Sequence, residues 1–418
     1  MINAVGIIVE YNPFHNGHLH HLHEAKRVSG APFAIAVMSG NFLQRGEPAI
    51  ADKWSRAAMA VNSGVDLVIE LPAVFSVRSA QYFAAGGVQL LKRLGIVSHI
   101  CFGAETADVA RLQQAAQALA QNNTIDALRQ EMKTGRTYAA SLAAVLSANA
   151  GVDGQLLQSP NNLLAIEYLR AIAKYAPDII PLAVPRIGAG YHDQRITAAI
   201  ASATAIRAHI LQNSGLPPGS PAHFAVPATC ARQLNDLLAS GKMPVTLASF
   251  SSIILAKLRS MSLAEIAALP DVAEGLHNKI SDAALQATTA QELLRYIKSK
   301  RYTLTRLQRI MVHALIGTTR DKLLQFDQLG PLYARVLAFN DNGRKLLKAL
   351  ESQAAIPVIT KTAHYLTSKQ QRQSALSPLQ AMLAYDVAAT DMYVLGFPNC
   401  AHRSGSQDFR FSPQYIAD

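Results

Sequence analysis

The sequence predicts an α/β fold, in which a parallel sheet covered by helices on both faces is followed by a mainly α-helical basic domain. Three observations predict it. Short apolar runs alternate with helical segments in the first half, a Pro- and Gly-rich stretch follows, and helical periodicity dominates beyond it. Half of the 418 residues are hydrophobic and only 6% are aromatic, a composition that favours a large core of packed helices.

Five apolar runs of the first half predict strands that are buried on both faces, which is typical of a parallel sheet. They are residues 4–11, 33–38, 65–71, 97–102 and 179–184. Helical periodicity predicts helices at 17–28, 51–62, 79–94, within 107–150, at 163–173 and at 202–211. In the second half it predicts helices at 228–240, 262–268, 289–299 and 305–316, and two short strands at 356–360 and 392–395.

The Pro/Gly stretch at residues 215–221 predicts a boundary between one domain at 1–215 and another at 216–418. The net charge is +11 and is unevenly spread. The first part carries 17 Lys and Arg against 14 Asp and Glu, and the second carries 22 against 14. We therefore expect a polyanion to contact the second part, although a merely soluble basic surface would show the same excess.

The three cysteines Cys101, Cys230 and Cys400 are far apart and form no CxxC pair, which argues against a disulfide framework or a zinc ribbon. The N-terminus lacks the basic segment and the cleavage site of a signal peptide. No uncharged apolar run is long enough to span a bilayer. We therefore expect a cytoplasmic protein without a membrane partner.

The turn after the first predicted strand carries an HxGH pattern, formed by His15, Gly17 and His18. Parallel α/β sheets bind ligands at the carboxyl ends of their strands, where the amides of a helix start attract anions. His15 and His18 are three residues apart and share one helical face. We expect them to act as imidazolium donors to a nucleotide triphosphate, with Gly17 allowing close backbone approach to a phosphate.

A metal site is the competing interpretation of this segment, because His20, His21 and His23 follow closely. The carboxylate and cysteine ligands that usually complete such a site are scarce nearby. We therefore predict no transition-metal site, and expect these three histidines on the helix surface or behind the ligand-binding groups.

A second pattern, SATAIR at residues 202–207, predicts a helix start with Ser202 as its N-cap. The Thr204 hydroxyl and the Arg207 guanidinium would then be placed to hold the β- and γ-phosphates. An ordinary helix cap shows the same pattern, so its weight comes from its occurrence together with HxGH in one α/β domain.

These two patterns resemble the HxGH nucleotidylyltransferases, Rossmann-like enzymes that transfer adenylyl groups. The whole chain further resembles the bacterial tRNA(Met) cytidine acetate ligase family, through segments that occur in the family's order. They are GIIVEYNPFHNGH (6–18), MSGNFLQRGEPA (38–49), SPNNLLAIEYLRA (159–171), RIGAGYHD (186–193), SATAIR (202–207) and KRYTLTRLQR (300–309). The resemblance implies that ATP and acetate form acetyl-adenylate. The acetyl group would then pass to N4 of the wobble cytidine, position 34, of elongator tRNA(Met), forming N4-acetylcytidine.

The resemblance also implies site residues, with His15, His18, Thr204 and Arg207 as the catalytic set. It implies that ATP, with Mg²⁺ on its phosphates, contacts Ile7, Ile8, Val9, Glu10, Tyr11, Asn12, Pro13, Phe14, His15, Asn16, Gly17, His18, Leu19, His20, Gly103, Asn162, Arg186 and Ile187. The residues alone are equally compatible with structural roles: Gly103 as a turn glycine, Asn162 as a helix N-cap and Arg186 as a solvated charge of a loop. Arg45 and Lys53 are further candidate cations for acetate or phosphate.

A basic cluster lies in the second half, within twelve residues that contain no acid. It comprises Lys298, Lys300, Arg301, Arg306 and Arg309, with Tyr302 among them. Basic side chains bind phosphates, and an aromatic ring can stack on an unpaired base. We expect this cluster to contact tRNA, with a solvated helix face as the alternative.

Two other functions stay open. A small-molecule adenylyltransferase would share HxGH and SxTxIR but would leave the basic second half unexplained. An RNA-binding protein with a vestigial nucleotide site would leave the intact His15, Gly17, His18, Thr204 and Arg207 unexplained. The sequence does not indicate the oligomeric state.

Overall fold

The computed structural model describes residues 2–132, 134, 138–150, 153–154, 156–187, 200–273, 275–373 and 375–417. Residues 188–193 of the predicted segment RIGAGYHD lie outside this set. The strands are β1 (Ala4–Val9), β2 (Phe33–Ser39), β3 (Leu67–Leu71), β4 (Val97–Ala104), β5 (Ile180–Pro185), β6 (Ala334–Phe339), β7 (Val358–Ile359) and β8 (Gln414–Tyr415).

The helices of the first half, which confirm the predicted alternation with strands, are α1 (Asn16–Ser29), α2 (Lys53–Asn62), α3 (Ala73–Ser76), α4 (Ala80–Arg93), α5 (Val109–Ala118), α6 (Asn122–Met132), α7 (Tyr138–Ala150), α8 (Pro160–Tyr175) and α9 (Ala203–Asn213). Those of the second half are α10 (Pro221–Phe224), α11 (Ala228–Ala239), α12 (Ser251–Ser260), α13 (Leu263–Ala268), α14 (Leu276–Gln286), α15 (Ala290–Ile297), α16 (Leu304–Ile316), α17 (Arg320–Leu329), α18 (Asp341–Gln353), α19 (Pro378–Tyr393) and α20 (Gln407–Arg410).

The strands form one mixed sheet in the order β5-β4-β1-β2-β3-β6-β7, with β8 also paired to β6. Strands β1 to β5 run parallel, which confirms the predicted fold class. The chain builds outward from β1 through β2 and β3, and then continues on the other side of β1 with β4 and β5. Such a reversal of strand order leaves a crevice at the carboxyl ends of the strands.

Both faces of the sheet are buried, because the strands are apolar at successive positions. Along β2, Ile35 and Val37 join the core under α4 and α8, whereas Ala36 and Met38 join the core under α1 and α2. A third core packs α12 to α16 and α19 against one another, and Phe42 from the first half is part of it. The helical second half therefore packs directly against the loop that follows β2.

The second half also contributes to the sheet. Strand β6 pairs antiparallel to β3, with Leu67 opposite Phe339, and β7 and β8 follow along its other edge. The sequence analysis did not predict β6. Its prediction of a strand at 392–395 was wrong, since these residues complete α19 and a 3₁₀ turn. The division into 1–215 and 216–418 stays a prediction.

None of the helices that the structure describes combines the length and the apolar character that a membrane span requires.

Candidate active site

A cavity of about 220 Å³ lies at the carboxyl ends of β1, β4 and β5, beside the start of α1. This is the crevice that the strand order creates. Its walls are formed by Ile8, Val9, Glu10, His15, Gly17, His18, His20, His21, Gln44, Arg45, Phe83, Phe102, Gly103, Asn161, Leu164, Tyr168, Val184, Pro185, Arg186, Ile187, Ile200, Ala201 and Ser202. One cavity therefore brings together the HxGH turn, the end of β4 and the first residues after β5.

The HxGH segment forms the N-terminal cap of α1, and both of its histidine rings accept hydrogen bonds from backbone amides there. His15 Nδ1 accepts a hydrogen bond from the Gly17 amide at 3.1 Å, and His18 Nδ1 accepts one from the His15 amide at 3.3 Å. The two imidazole rings stack with their centroids 3.7 Å apart. Side chains rather than solvent therefore satisfy two of the amides that a helix start leaves unpaired.

Gly17 is required by the His15 ring. A Cβ atom at position 17 would lie 2.9 Å from His15 Cε1, closer than side-chain atoms normally approach. The absence of a side chain lets the ring fold back over the helix start and stack on His18. This is a different reason from the predicted approach of a phosphate to the backbone.

Hydrogen bonding also determines the donors that the site offers. Because both Nδ1 atoms accept backbone N–H groups, each neutral ring carries its proton on Nε2. Burial, with Arg186 and Arg207 nearby, lowers the pKa of His15 to about 3. Burial, with His15 and Arg186 nearby, lowers the pKa of His18 well below its usual value. The predicted imidazolium pair is therefore a neutral pair with two Nε2–H donors.

The His18 ring is supported by aromatic side chains from the turn between β1 and α1. Tyr11 lies 4.7 Å from Phe14 and 4.9 Å from His18, and Phe14 lies 5.6 Å from His18, measured between ring centroids. Both aromatic rings are buried. The turn thus holds His18 in a fixed orientation.

Arg207 is bound to the same turn from the start of α9. Its Nη1 donates to the Asn12 carbonyl at 2.9 Å, and its Nη2 lies 3.8 Å from Glu47 Oε2. Thr204 is exposed and lies outside the cavity, whereas Ser202 caps α9 as predicted and lines it. The structure therefore places Thr204 and Arg207 behind the cavity wall, and their predicted contact with β- and γ-phosphates stays a prediction.

The remaining residues predicted to contact ATP divide into two groups. Ile8, Val9, Glu10, His20, Gly103, Arg186 and Ile187 line the cavity, whereas Ile7, Tyr11, Asn12, Pro13, Phe14, Asn16, Leu19 and Asn162 do not. Asn16 instead donates to the Phe224 carbonyl at 2.8 Å, and Asn12 accepts from the Ile50 amide at 2.7 Å. These side chains hold the turn against its neighbours.

Asn162 has a structural role that the sequence analysis did not predict. Its side chain is 1% exposed, accepts from the Thr106 amide at 3.0 Å and donates to the Leu156 carbonyl at 3.0 Å. It therefore fixes the loop after β4. Glu105 from this loop accepts from the Asn162 amide at 3.0 Å, and thereby caps α8.

Sequence reasoning missed several cavity residues. Asn161, Leu164 and Tyr168 of α8 lie on one face of the helix, at spacings of three and four residues, and all line the cavity. His21 lines it too, three residues after His18, and burial lowers its pKa to about 4. The helical spacing from His18 was the signal that could have indicated His21, whereas Asn161, Leu164 and Tyr168 do not share the helix face of Asn162, the residue predicted on α8.

Of the two further cations, Arg45 lines the cavity and Lys53 does not. Lys53 is fully buried, with Nζ 2.8 Å from Glu70 Oε1 and 2.8 Å from Asp408 Oδ1. Arg335 pairs with the same two carboxylates. The prediction that Lys53 binds acetate or phosphate was wrong, because its ammonium group is paired with the buried carboxylates of Glu70 and Asp408.

The structure divides the basic cluster into exposed and buried members. Lys298, Lys300 and Arg301 are exposed, and Arg306 is half-buried and donates to the Asp271 carbonyl at 2.9 Å. Arg309 is 7% exposed, and its Nε lies 2.7 Å from Asp271 Oδ2. The Tyr302 ring is buried in the helical core under the Arg306 guanidinium, so the prediction that it stacks on a base was wrong.

The described residues contain no group of three or more His, Cys, Asp or Glu side chains arranged to hold a metal ion. Within the described cavity wall, Glu10 is the one carboxylate. Burial raises the pKa of Glu10, whose Oε1 accepts from the Gln44 amide at 2.8 Å. A protein-only Mg²⁺ site does not fit these residues, and any Mg²⁺ would depend on phosphate oxygens as ligands.

The fold and the capped HxGH turn define a class of protein, the HIGH nucleotidyl transferases, whose family model matches residues 2–408. The tRNA(Met) cytidine acetate ligase of Acetivibrio thermocellus is 40% identical over 416 residues, which cover 98% of each chain. That of Alkaliphilus metalliredigens is 37% identical and covers 99% of each chain. The chain belongs to the tRNA(Met) cytidine acetate ligase family.

Solved structures agree with this family membership. The crystal structure of apo Thermotoga maritima TmcAL matches the whole of both chains with a TM-score of 0.91 and 30% identity. The crystal structure of the same protein bound with alpha-thio ATP matches with a TM-score of 0.89.

Proposed function

We propose that this protein is an ATP-dependent ligase that activates acetate as acetyl-adenylate and acetylates N4 of the wobble cytidine of elongator tRNA(Met). The observation that carries the proposal is the capped His15–His18 pair in the cavity of a chain related over its full length to tRNA(Met) cytidine acetate ligases. ATP is proposed to bind in this cavity, because a relative's crystal structure contains an ATP analogue.

In the first step, an acetate oxygen attacks the α-phosphorus of ATP, and the bond to pyrophosphate breaks. The Nε2–H groups of His15 and His18 donate to phosphoryl oxygens, where negative charge develops. The start of α1 and the side chains of Arg45 and Arg186 add positive potential in the same cavity. Neutral histidines suit this role, since they donate hydrogen bonds without first taking up a proton.

In the second step, the cytidine amine attacks the acetyl carbonyl carbon. The new C–N bond forms, the bond from the carbonyl carbon to the adenylate oxygen breaks, AMP leaves with the bonding pair and the amine loses one proton. We expect the exposed Lys298, Lys300 and Arg301 to hold tRNA phosphates during this step. An anticodon-loop base is unpaired and can enter a site without melting a duplex.

The test incubates the purified protein with ATP, radiolabelled acetate and an elongator tRNA(Met) transcript. We expect acetate to enter the tRNA, with release of AMP and pyrophosphate, and no incorporation into a transcript with uridine at position 34. Transfer of AMP to a phosphorylated small molecule, or tRNA binding without turnover, would contradict the proposal and support the adenylyltransferase or the RNA-binding alternative respectively.

A further inference from the structure

Glu10 is a carboxylate in the wall of the active-site cavity that the first step of the proposed reaction does not use. It follows the last residue of β1 and lines the cavity together with His15 and His18. The first step needs donors to phosphoryl oxygens, whereas an ionised carboxylate only accepts hydrogen bonds. The second step, in which the cytidine amine must lose a proton, is the step that a carboxylate in this cavity suits.

Glu10 is held in place through both its backbone and its side chain. Its carbonyl accepts a hydrogen bond from Arg56 Nη1, and its Oε1 accepts one from the Gln44 amide at 2.8 Å. Arg56 is fully buried and also donates to the Ala51 carbonyl at 3.0 Å, so this anchor is part of the core. Among the described residues, no hydrogen bond reaches the second oxygen, Oε2. One oxygen is therefore fixed, and the other is left for a ligand.

The surroundings of Glu10 favour a proton acceptor. Burial raises the pKa of Glu10, while Arg45 and Arg207 act to lower it and Glu47 acts to raise it. A carboxylate whose pKa lies above its ordinary value is a stronger base than an exposed one. On the α8 side of the cavity, burial and the charge of Glu10 raise the pKa of Tyr168, so this phenol keeps its proton.

The histidines of the same wall are less suited to take a proton. His15 and His18 already accept backbone N–H groups at Nδ1 and carry their protons on Nε2. Burial lowers the pKa of His21 to about 4, which makes it a weak proton acceptor. Among the described lining residues, His20 is then the one side chain that competes with Glu10 for this role.

A carboxylate also matches the base that is acetylated. The N4 amino group of cytosine donates hydrogen bonds, and Glu and Asp are the side chains that accept from it in nucleic-acid recognition. Uridine has the acceptor O4 at the same place, which a carboxylate repels. One oxygen of Glu10 can therefore select cytidine and receive the proton that its amine loses.

We propose that Glu10 Oε2 accepts a hydrogen bond from N4 of the accepting cytidine and takes the proton that this amine loses on acetylation. The inference rests on the proposed function and deepens it, because it assigns the base of the second step. Glu10 lines the same cavity as the histidine pair, so an amine that contacts it lies in the compartment proposed for the acetyl-adenylate.

The proposed proton transfer completes the balance of the second step. As N4 bonds to the acetyl carbonyl carbon, its N–H bond breaks and the proton passes to Glu10 Oε2. The bond from the carbonyl carbon to the adenylate oxygen breaks, and AMP leaves with the bonding pair. Glu10 then releases the proton to water, which restores the carboxylate.

The test measures the two steps separately in Glu10→Gln, whose carboxamide can still accept from the Gln44 amide but cannot take a proton. Acetate-dependent exchange of pyrophosphate into ATP, without tRNA, reports the first step. Single turnovers with synthetic acetyl-adenylate and an excess of enzyme over the tRNA transcript report the second. Glu10→Asp is the conservative variant, and Glu351→Gln, at an exposed position of α18, is the matched control.

We expect the loss of transfer rate in Glu10→Gln to exceed any loss of exchange about 10²-fold, with roughly a tenth of the wild-type transfer rate kept by Glu10→Asp and all of it by the control. Wild-type transfer should rise between about pH 5 and 8, because the base must be ionised, and Glu10→Gln should lose this rise. Uridine at position 34 should weaken tRNA binding roughly fivefold in the wild type and less in Glu10→Gln, whose carboxamide can also donate to O4.

Three results would overturn the assignment of Glu10 while leaving the proposed function intact, provided that the wild type incorporates acetate. They are wild-type transfer in Glu10→Gln, equal losses of exchange and transfer in it, and a loss of the pH-dependent transfer in His20→Gln instead. Equal discrimination against uridine by the wild type and Glu10→Gln would overturn the contact with N4. If the wild type incorporates no acetate, the proposed function fails, and the assignment of Glu10 fails with it.

Discussion

The HxGH turn and the basic cluster at residues 298–309 are both dense in one kind of side chain, but the structure treats them differently. At the turn, His15, Gly17 and His18 all line the cavity, because hydrogen bonds from the backbone at the start of α1 orient both imidazole rings. In the basic cluster, Lys298, Lys300 and Arg301 face solvent while Arg309 is paired inside the fold. A sequence pattern that fixes backbone geometry, such as HxGH, therefore predicts where its side chains point. A run of basic residues does not.

The largest expected effect is the loss of activity when one histidine of the HxGH turn is removed. His18→Ala removes one Nε2–H donor and should lower acetate-dependent ATP–pyrophosphate exchange by about 10²- to 10³-fold, the usual cost of one preorganised donor to a developing charge. His23→Ala, on an exposed position of the same helix, is the control and should keep the wild-type rate. Full exchange in His18→Ala would contradict the assigned site.

The next effect tests the buried side of the basic cluster. Arg309→Ala leaves Asp271 without its partner, and should lower the free energy of unfolding by roughly 2–3 kcal/mol, because Asp271 is itself partly exposed. Lys300→Ala should change it by less than about 0.5 kcal/mol, as is usual for exposed positions. Urea denaturation measures the stability of both variants. Equal stabilities would show that Arg309 contributes no more to the free energy of unfolding than an exposed cation does.

The pH dependence of stability gives a third comparison, because both regions contain a buried histidine. Burial lowers the pKa of His15 in the turn, and of His313 on α16, to about 3. The unfolded chain binds these protons near pH 6.5, so stability present above that pH is lost as the pH falls towards 3. Each of these two histidines is expected to take about 1.4 kcal/mol from the unfolding free energy between pH 7.5 and 5.5.

His313→Leu apportions this loss between the two regions, because it removes the buried histidine next to the basic cluster and leaves His15 in place. Urea denaturation at both pH values should show a loss about 1.4 kcal/mol smaller in this variant than in the wild type, because His15, His18 and His21 keep their lowered pKa values. A loss as large as in the wild type would mean that His313 does not contribute.

The smallest effect concerns the exposed side of the basic cluster. Replacing Lys300 and Arg301 by Ala together should raise the KM for tRNA about two- to fivefold and reduce the salt dependence of binding by one to two phosphate contacts. Filter binding across a salt series measures the slope. An unchanged slope would show that these two cations do not contact tRNA.

The sequence predicted the parallel part of the fold because β1 to β5 are local apolar runs that alternate with helical segments. It missed β6, although residues 334–339 are an apolar run of the same kind, and it could not predict the antiparallel pairing with β3, which lies far away in the chain. The same distance explains the errors at the site. Lys53 and Arg309 carry charges that suit phosphate, but Asp408 and Asp271 neutralise them from remote segments. Helix-face spacing from His18, by contrast, was local information that could have indicated His21.

The buried group of Lys53, Glu70, Arg335 and Asp408 has a consequence for how the protein is made. Two cations and two carboxylates balance there, and one carboxylate belongs to α20, which is synthesised after all but the last strand. A nascent chain that has not yet reached residue 408 lacks one of the two carboxylates that pair with the buried Lys53 and Arg335. This buried group is thus expected to be completed only once residue 408 has been synthesised, and truncation before α20 should lower the free energy of unfolding.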